Sequence, residues 1–228
     1  MRIQGPITDQ TQKSVLDQVR FLQNSHSRPA SVVVLINSPG GDGEAALAIG
    51  RLLRQHQAHV FVFGRCDSAC VFILAGGVVR AGTPGALGVH AGRLTQTNAQ
   101  GRITREIDAR QSLNDSFRLT DFNSEVRHYL KEMGIGQGLL DVILAHQTRT
   151  VYRLSPQEIS HYQLYGVDPN YLNQLTADYN KTDMYRPIDK NQLARLMLSV
   201  PIKCQSTIGK DNEFIHCYQR VVQNSGTP

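Results

Sequence analysis

A serine lies at the mouth of a buried apolar run, where a plain core element would have only aliphatic residues. This residue is Ser68, in the stretch GRCDSACVFILAGG, whose second half predicts an apolar helix. A hydroxyl at a helix N-terminus lies at the positive end of the dipole, and the N–H of Ala69 would point toward the oxygen of a tetrahedral intermediate. One interpretation is a nucleophile. The other is a serine that only caps the helix by accepting a backbone hydrogen bond.

A base and an anion-binding turn accompany this serine. His90 ends the short run GALGVH, which would place its imidazole at the rim of the same sheet, where it could accept a nucleophile's proton. The turn INSPGGDG follows a buried strand, and its two adjacent glycines, the second being Gly41, let the backbone turn sharply and expose its N–H groups. Either segment alone could be an ordinary turn or an ordinary strand-end histidine. Their order along the chain favours nucleophilic catalysis.

The elements that must position these residues predict an α/β fold. RIQGPIT predicts a short strand, DQTQKSVLDQVRFLQN a helix and SVVVLIN an unbroken β-branched strand, which together make one βαβ unit. The helix EAALAIGRLLRQ, the strand HVFVFG and the strands around VVRAG and ALGVHAG follow. Strands in which apolar and polar residues do not alternate, separated by helices, indicate a mainly parallel sheet buried on both faces. From Ile107 to Met133 we expect a long, mostly hydrophilic helix that packs against the rest of the domain or against another subunit.

Composition excludes several classes of protein. The chain has 228 residues, 40% of them hydrophobic, which is enough for one substantial core. Its net charge of +5 comes from 24 Lys and Arg spread over the whole length, without the basic stripe that nucleic-acid binding needs. The glycine turn matches neither a phosphate loop nor a dinucleotide fingerprint, so no cofactor is expected. No window approaches the ~20 apolar residues of a membrane span.

The segments INSPGG, SAC before an apolar helix and GVHAG, in this order, resemble those of the Clp protease proteolytic subunit and its relatives in the ClpP/crotonase fold superfamily. The resemblance covers residues 2–168 and includes LSPQEISHYQLYGVD. It implies stacked, mainly parallel βαβ units with a protruding handle helix, and a homo-oligomer that cuts peptides or proteins as a serine endopeptidase. It also implies Ser68 as nucleophile, His90 as general base, and the N–H groups of Gly41 and Ala69 as the oxyanion hole.

The family's third catalytic residue, an aspartate, has no counterpart in the sequence. Counting back from the LS of RLSPQE places it at Gln147, counting forward from Gly136 places it at Ala145, and AHQTRTVYRLS contains no carboxylate. The imidazole of His90 could be oriented by the Gln147 amide, by His146, by a backbone carbonyl or by nothing. Since losing such a carboxylate costs a factor of ~10⁴ in turnover, we expect a slow hydrolase or one that needs activation. The alternatives are a catalytically weak or inactive assembly or binding module and a crotonase-type acyl-CoA enzyme.

Two of the four cysteines flank the candidate nucleophile, and two lie in the tail. Buried free thiols are one interpretation, and two disulfides in an oxidising compartment are the other. A metal site is not expected, since the spacing is not CxxC. On the disulfide interpretation, a Cys66–Cys70 bond holds the loop of the nucleophile, and Asp67 is a solvated neighbour or a modifier of local charge. Local closure at the turn GKDN favours pairing of Cys204 with Cys217.

The chain is expected to divide near residue 170. Residues 1–170 would form the peptidase-like domain, and residues 171–228 a polar linker and a small disulfide-bonded appendage with a short helix and two strand-like runs. This tail could be a docking element or a lid. Disulfides would place the protein in the periplasm or otherwise outside the cytoplasm, with an export segment removed before Met1, and a cytoplasmic location stays open.

Overall fold

The computed structural model describes residues 1–24, 31–98, 103–107, 112–147, 150–181 and 188–223. Its strands are β1 (Arg2–Gln4), β2 (Val33–Ser38), β3 (His59–Asp67), β4 (Val79–Gly82), β5 (Leu87–Val89), β6 (Leu94–Thr97), β7 (Ile103–Ile107), β8 (Tyr152–Arg153) and β9 (Gly166–Val167). Its helices are α1 (Asp9–Asn24), α2 (Gly43–Gln55), α3 (Cys70–Ala75), α4 (Leu113–Glu132), α5 (Leu139–Ala145), α6 (Pro156–His161), α7 (Pro169–Lys181), α8 (Lys190–Lys203) and α9 (Asp211–Gln223).

The main sheet is mixed but largely parallel. Strands β1, β2, β3 and β4 lie side by side in that order and run parallel, and β9 pairs antiparallel with β4 at the edge. The end of β3 pairs in parallel with β5, which pairs antiparallel with β8. Alternate residues of β2 and β3 face two separate apolar clusters, so both strands are apolar almost throughout. The predicted α/β fold with a mainly parallel sheet is confirmed.

Strand β3 is longer than the predicted run HVFVFG and changes neighbour along its length. It pairs with β4 over residues 59–62 and with β5 at residues 66 and 67. Gly64 lies between these sections with φ +114°, and a Cβ there would lie 2.7 Å from the side-chain oxygen of Asn37. The glycine therefore lets β3 bend toward β5, the strand that leads to His90.

One face of the sheet is covered by α1, α2, α3 and the C-terminal half of α4. Every residue of α3 is buried, which explains why its sequence is apolar on all sides. Tyr129 of α4 is fully buried and donates a hydrogen bond of 2.6 Å from its hydroxyl to the carbonyl oxygen of Phe72 in α3. This layer fixes α3, and with it the turn that carries Ser68.

The opposite face is covered by α8 and α9. The predicted pair of strand-like runs is wrong, because the residues on both sides of GKDN are helical. Leu193, Met197 and Val200 of α8 are buried against the sheet, as are Phe214 and Tyr218 of α9, at the three- and four-residue spacing of a helical stripe. The tail is therefore the second layer of the core in this part of the molecule.

The described part of the segment expected to be a polar linker is mostly helical. It forms α7, with Leu172 buried in the same apolar cluster as α8 and α9. Asp168 caps this helix, since its carboxylate accepts hydrogen bonds from the N–H groups of Asn170 and Tyr171, both at 3.0 Å. A domain boundary at residue 170 stays a prediction, and described residues on both sides of that position share one apolar cluster.

The helix predicted from Ile107 to Met133 begins later than expected. Ile107 ends β7, which pairs antiparallel with β6 in a separate two-stranded sheet, and α4 begins after its N-cap, Ser112, whose hydroxyl accepts from the N–H of Asp115. The N-terminal half of α4 is mostly exposed, and its C-terminal half packs on the body. None of the helices in the described part of the chain is long and apolar enough to span a membrane.

Candidate active site

Ser68 lies in the turn that joins β3 to α3. Its N–H donates to the carbonyl oxygen of Gly88 at 2.8 Å, and its own carbonyl accepts from the N–H of Val71 at 3.0 Å. Helix α3 has Ala69 at its N-cap position, where no side-chain cap is formed. Capping therefore does not account for the hydroxyl of Ser68.

The backbone of Ser68 has left-handed geometry, with φ +55°. Among the described residues, Gln57 and Gln163 are the other non-glycine residues with positive φ. Both directly follow the C-cap of a helix, where a left-handed residue is common. Ser68 instead precedes a helix, so its conformation has no such explanation, and strain of this kind clusters at functional sites.

The structure contains both predicted disulfides. Cys66 at the end of β3 pairs with Cys70 at the start of α3, with Cα atoms 5.1 Å apart, and both residues are fully buried. This bond closes the turn around Ser68. Cys204 pairs with Cys217 across the end of α8 and the middle of α9, with Cα atoms 5.8 Å apart. This second bond joins two helices rather than the expected two strands.

The glycine turn after β2 packs directly against Ser68. A Cβ on Gly40, which has φ +92°, would lie 2.7 Å from the Cβ of Ser68. A Cβ on Gly41, with φ +145°, would lie 2.2 Å from the carbonyl oxygen of Ile7. The N–H of Ile7 donates to Gly40 and its carbonyl accepts from Asp42, both at 2.9 Å. These close approaches require glycine at both positions and bring the turn to the serine.

Two N–H groups near Ser68 remain available for a ligand. The N–H of Gly40 donates to the hydroxyl of Ser38 at 3.1 Å, and that of Asp42 is used by Ile7. Within the described residues, the N–H groups of Gly41 and Ala69 have no acceptor. Backbone donors without an acceptor beside a hydroxyl are what an oxyanion hole requires.

His90 follows β5, at the level of the end of β3. Gly88, two residues earlier, pairs in register with Asp67, which directly precedes Ser68. The Nδ1 atom of His90 lies 2.8 Å from the carbonyl oxygen of Ala91. Because a carbonyl only accepts, Nδ1 carries the proton and Nε2 is left as the acceptor. Within the described residues Ser68 and His90 share no hydrogen bond, and such bonds are often long before substrate binds.

The segment at the family's third catalytic position contacts the His90 loop through its backbone. The carbonyl of His146 accepts from the N–H of Ala91 at 2.8 Å, while the Nδ1 atom of His146 lies 2.8 Å from the carbonyl of Val142. The imidazole of His146 also stacks on Tyr152, with ring centroids 3.9 Å apart. Of the orienting groups considered from the sequence, a backbone carbonyl is therefore the one that holds His90.

Asp67 is not the solvated neighbour that the sequence suggested. It is 2% exposed, and its carboxylate accepts two hydrogen bonds from Arg153 of β8, at 2.5 and 3.1 Å. The partner lies 86 residues away in sequence, so no local pattern indicates it. The sequence could have predicted an ion pair from Asp67 alone, since a charged side chain at the end of a buried strand requires a partner. No group of three or more metal-ligating side chains occurs among the residues described.

Comparison with known protein families finds a match in the N-terminal part of the chain. The Clp protease family model matches residues 1–87, a range that contains the glycine turn, Ser68 and both cysteines of the Cys66–Cys70 disulfide. It ends before His90. No curated protein matches the chain.

Proposed function

Because residues 1–87 carry a Clp protease family domain, we propose that this protein is a serine peptidase-like hydrolase that cuts peptides or proteins through Ser68 and His90. The observation that carries the proposal is the left-handed turn at Ser68, which is packed against the turn containing Gly41. A strained serine between a strand and a helix is the arrangement that exposes a nucleophilic hydroxyl in other hydrolases.

The reaction would proceed through an acyl-enzyme. As Oγ of Ser68 attacks the substrate carbonyl carbon, Nε2 of His90 takes the hydroxyl proton. The oxyanion of the tetrahedral intermediate accepts hydrogen bonds from the N–H groups of Gly41 and Ala69. His90 then gives the proton to the leaving amine, and a water activated by the same imidazole hydrolyses the ester. This sequence needs no cofactor.

His90 is oriented by the uncharged carbonyl of Ala91 and not by a carboxylate, which would make the reaction slow. It holds Nδ1–H of His90 and fixes the tautomer that the general base requires. An uncharged oxygen stabilises the imidazolium less than a carboxylate does, and Gln147 supplies no charge at the family's aspartate position. Turnover well below that of a complete triad is therefore expected.

The test is covalent labelling with a fluorophosphonate or a β-lactone. The wild type should be modified, and both Ser68→Ala and His90→Ala should abolish the modification. Ser160→Ala, at an exposed serine of α6, is the matched control and should label like the wild type. Equal labelling of the Ser68→Ala variant would overturn the assignment.

A second candidate function is a catalytically weak or inactive ClpP-like assembly or binding module. The absence of a carboxylate from AHQTRTVYRLS favours it, as do the exposed side chains of Leu113 and Phe117 on α4. A folded, self-associated protein that no serine-directed probe modifies would support this candidate over the first.

The proposed location is the periplasm or another compartment outside the cytoplasm. Two buried disulfides are compatible with an oxidising compartment, where such bonds persist. Non-reducing peptide mapping of protein recovered from its native host would test this. Both disulfides should be found oxidised, whereas four free thiols would contradict the proposal.

A further inference from the structure

A bidentate ion pair crosses three neighbouring strands directly beside Ser68. Asp67 of β3 pairs in register with Gly88 of β5, and Gly88 pairs with Arg153 of β8. The guanidinium of Arg153 reaches over the middle strand to the carboxylate of Asp67, with Nη1–Oδ1 at 2.5 Å and Nη2–Oδ2 at 3.1 Å. The ion pair therefore ties the two outer strands to each other across the strand that leads to His90.

The middle strand has a glycine where the ion pair passes. A Cβ on Gly88 would lie 2.8 Å from Oδ1 of Asp67, 3.1 Å from Nη1 of Arg153 and 2.2 Å from a methyl carbon of Val151. Gly88 is also the residue whose carbonyl accepts the N–H of Ser68. A side chain at this position would push the ion pair away from the strand, so glycine is part of the arrangement.

Burial makes the ion pair obligatory. The Asp67 side chain is 3% exposed, whereas the Arg153 side chain is 46% exposed. A buried carboxylate without its partner is strongly unfavourable, so Asp67 holds Arg153 in place. Arg65 is a minor partner, with its Nε 3.9 Å from Oδ2 of Asp67 and its side chain 57% exposed.

We infer that Asp67, Gly88 and Arg153 form a clamp that fixes the position of His90 relative to Ser68. Since the described structure has no hydrogen bond between these two side chains, their alignment depends on the strands that carry them. Two clamp residues lie close in sequence to the proposed site, since Asp67 precedes Ser68 and Gly88 lies two residues before His90. Arg153 is the strand neighbour of Gly88. All three are positioning residues, and the inference rests on the function proposed above.

The rate of Ser68 labelling in a double-mutant cycle tests the clamp. Asp67→Asn and Arg153→Gln should each slow labelling about tenfold, because small displacements of reacting groups are costly. The double variant should be no slower than the slower single variant, since both remove the same interaction. Arg153→Lys, which keeps the charge but not the bidentate geometry, should recover part of the rate. With a peptide substrate, kcat should fall while KM is unchanged.

A second partly buried ion pair serves as a control that separates an effect on the labelling rate from an effect on stability. Arg54 and Asp168, 3.0 Å apart and partly buried, link α2 to the start of α7. Asp168→Asn should lower the melting temperature without slowing the labelling. If it slows labelling as much as Asp67→Asn, or if the two clamp variants have multiplicative effects, the clamp is overturned. Because Arg153 is half exposed, its guanidinium can be solvated in Asp67→Asn, so this variant tests the clamp even if Arg153→Gln, which leaves the buried carboxylate of Asp67 without a partner, does not fold.

The same assay distinguishes the two proposals. A wild type that labels at Ser68 while Asp67→Asn and Arg153→Gln label at the wild-type rate would overturn the clamp alone. A folded wild type that does not label at all would overturn the proposed function, and the clamp with it.

Discussion

At the scale of single residues, chemistry is concentrated in one strained serine and the groups around it. The sequence indicated Ser68, His90 and the glycine turn because their residue types and order are unusual for core elements. It could not indicate the ion pair of Asp67, whose partner is remote in sequence, nor the carbonyl of Ala91 as the group that holds His90. Those contacts depend on tertiary packing, which local patterns do not encode.

The left-handed backbone of Ser68 should lower the stability of the protein, because a serine is strained in this conformation. Ser68→Gly should be more stable than Ser68→Ala by about 1 kcal/mol, because glycine adopts positive φ without the steric cost that Ala or Ser has there. Urea denaturation measures the difference, and neither variant should label. A Ser68→Gly variant that is less stable than Ser68→Ala would contradict the strain argument.

At the scale of elements, the first half of the fold followed from the sequence and much of the rest did not. Unbroken β-branched runs indicated β2 and the first part of β3, because both faces of these strands are buried, and helix α2 was also predicted correctly. Helix α9 was missed although Phe214, Cys217, Tyr218 and Val222 have helical spacing. The turn-forming GKDN and a β-branched stretch suggested strands there, and packing on the second face of the sheet favours a helix.

The two disulfides join different elements and should have separable effects. Replacing Cys204 and Cys217 by serine should lower stability by ~3 kcal/mol in the loop-entropy model and leave Ser68 labelling unchanged. Replacing Cys66 and Cys70 should slow the labelling, because it frees the turn between β3 and α3. Labelling and denaturation of both double variants check this. Equal labelling rates would show that the first disulfide does not organise the nucleophile.

A buried histidine links the tail helices to the sheet and predicts a pH dependence. His59 of β3 lies 2.7 Å from the hydroxyls of both Tyr171 and Tyr218, and burial lowers its pKa from 6.5 to about 3. The unfolded chain binds a proton that the folded chain excludes, so stability is full above pH 6.5 and falls as pH decreases below it. The slope from this group approaches about 1.4 kcal/mol per pH unit. Denaturation curves from pH 7.5 to 5 should show this loss, which His59→Gln should reduce. An unchanged slope in the variant would contradict it.

At the scale of the whole molecule, we propose self-association through the exposed apolar residues of α4. Leu113 and Phe117 are 81% and 65% exposed in the N-terminal half of α4. Large apolar side chains at such exposure are typical of a surface that meets another chain. The resemblance to the Clp protease proteolytic subunit makes a second copy of this chain the expected partner.

Sedimentation can test this association with a matched control. The wild type should sediment as a species larger than the 25.3 kDa chain, and the combined Leu113→Glu and Phe117→Glu variant should shift toward the monomer. Ile202→Glu, at a site 66% exposed on α8, adds charge elsewhere and should leave the assembly unchanged. A wild type that is monomeric at all concentrations would contradict the prediction.

Mass-spectrometric mapping of a phosphonylated sample tests whether Ser68 is a nucleophile activated by His90. We expect one modified peptide, carrying the adduct on Ser68, whose formation requires His90. An adduct on another residue, or an adduct on Ser68 that forms equally fast in His90→Ala, would contradict it.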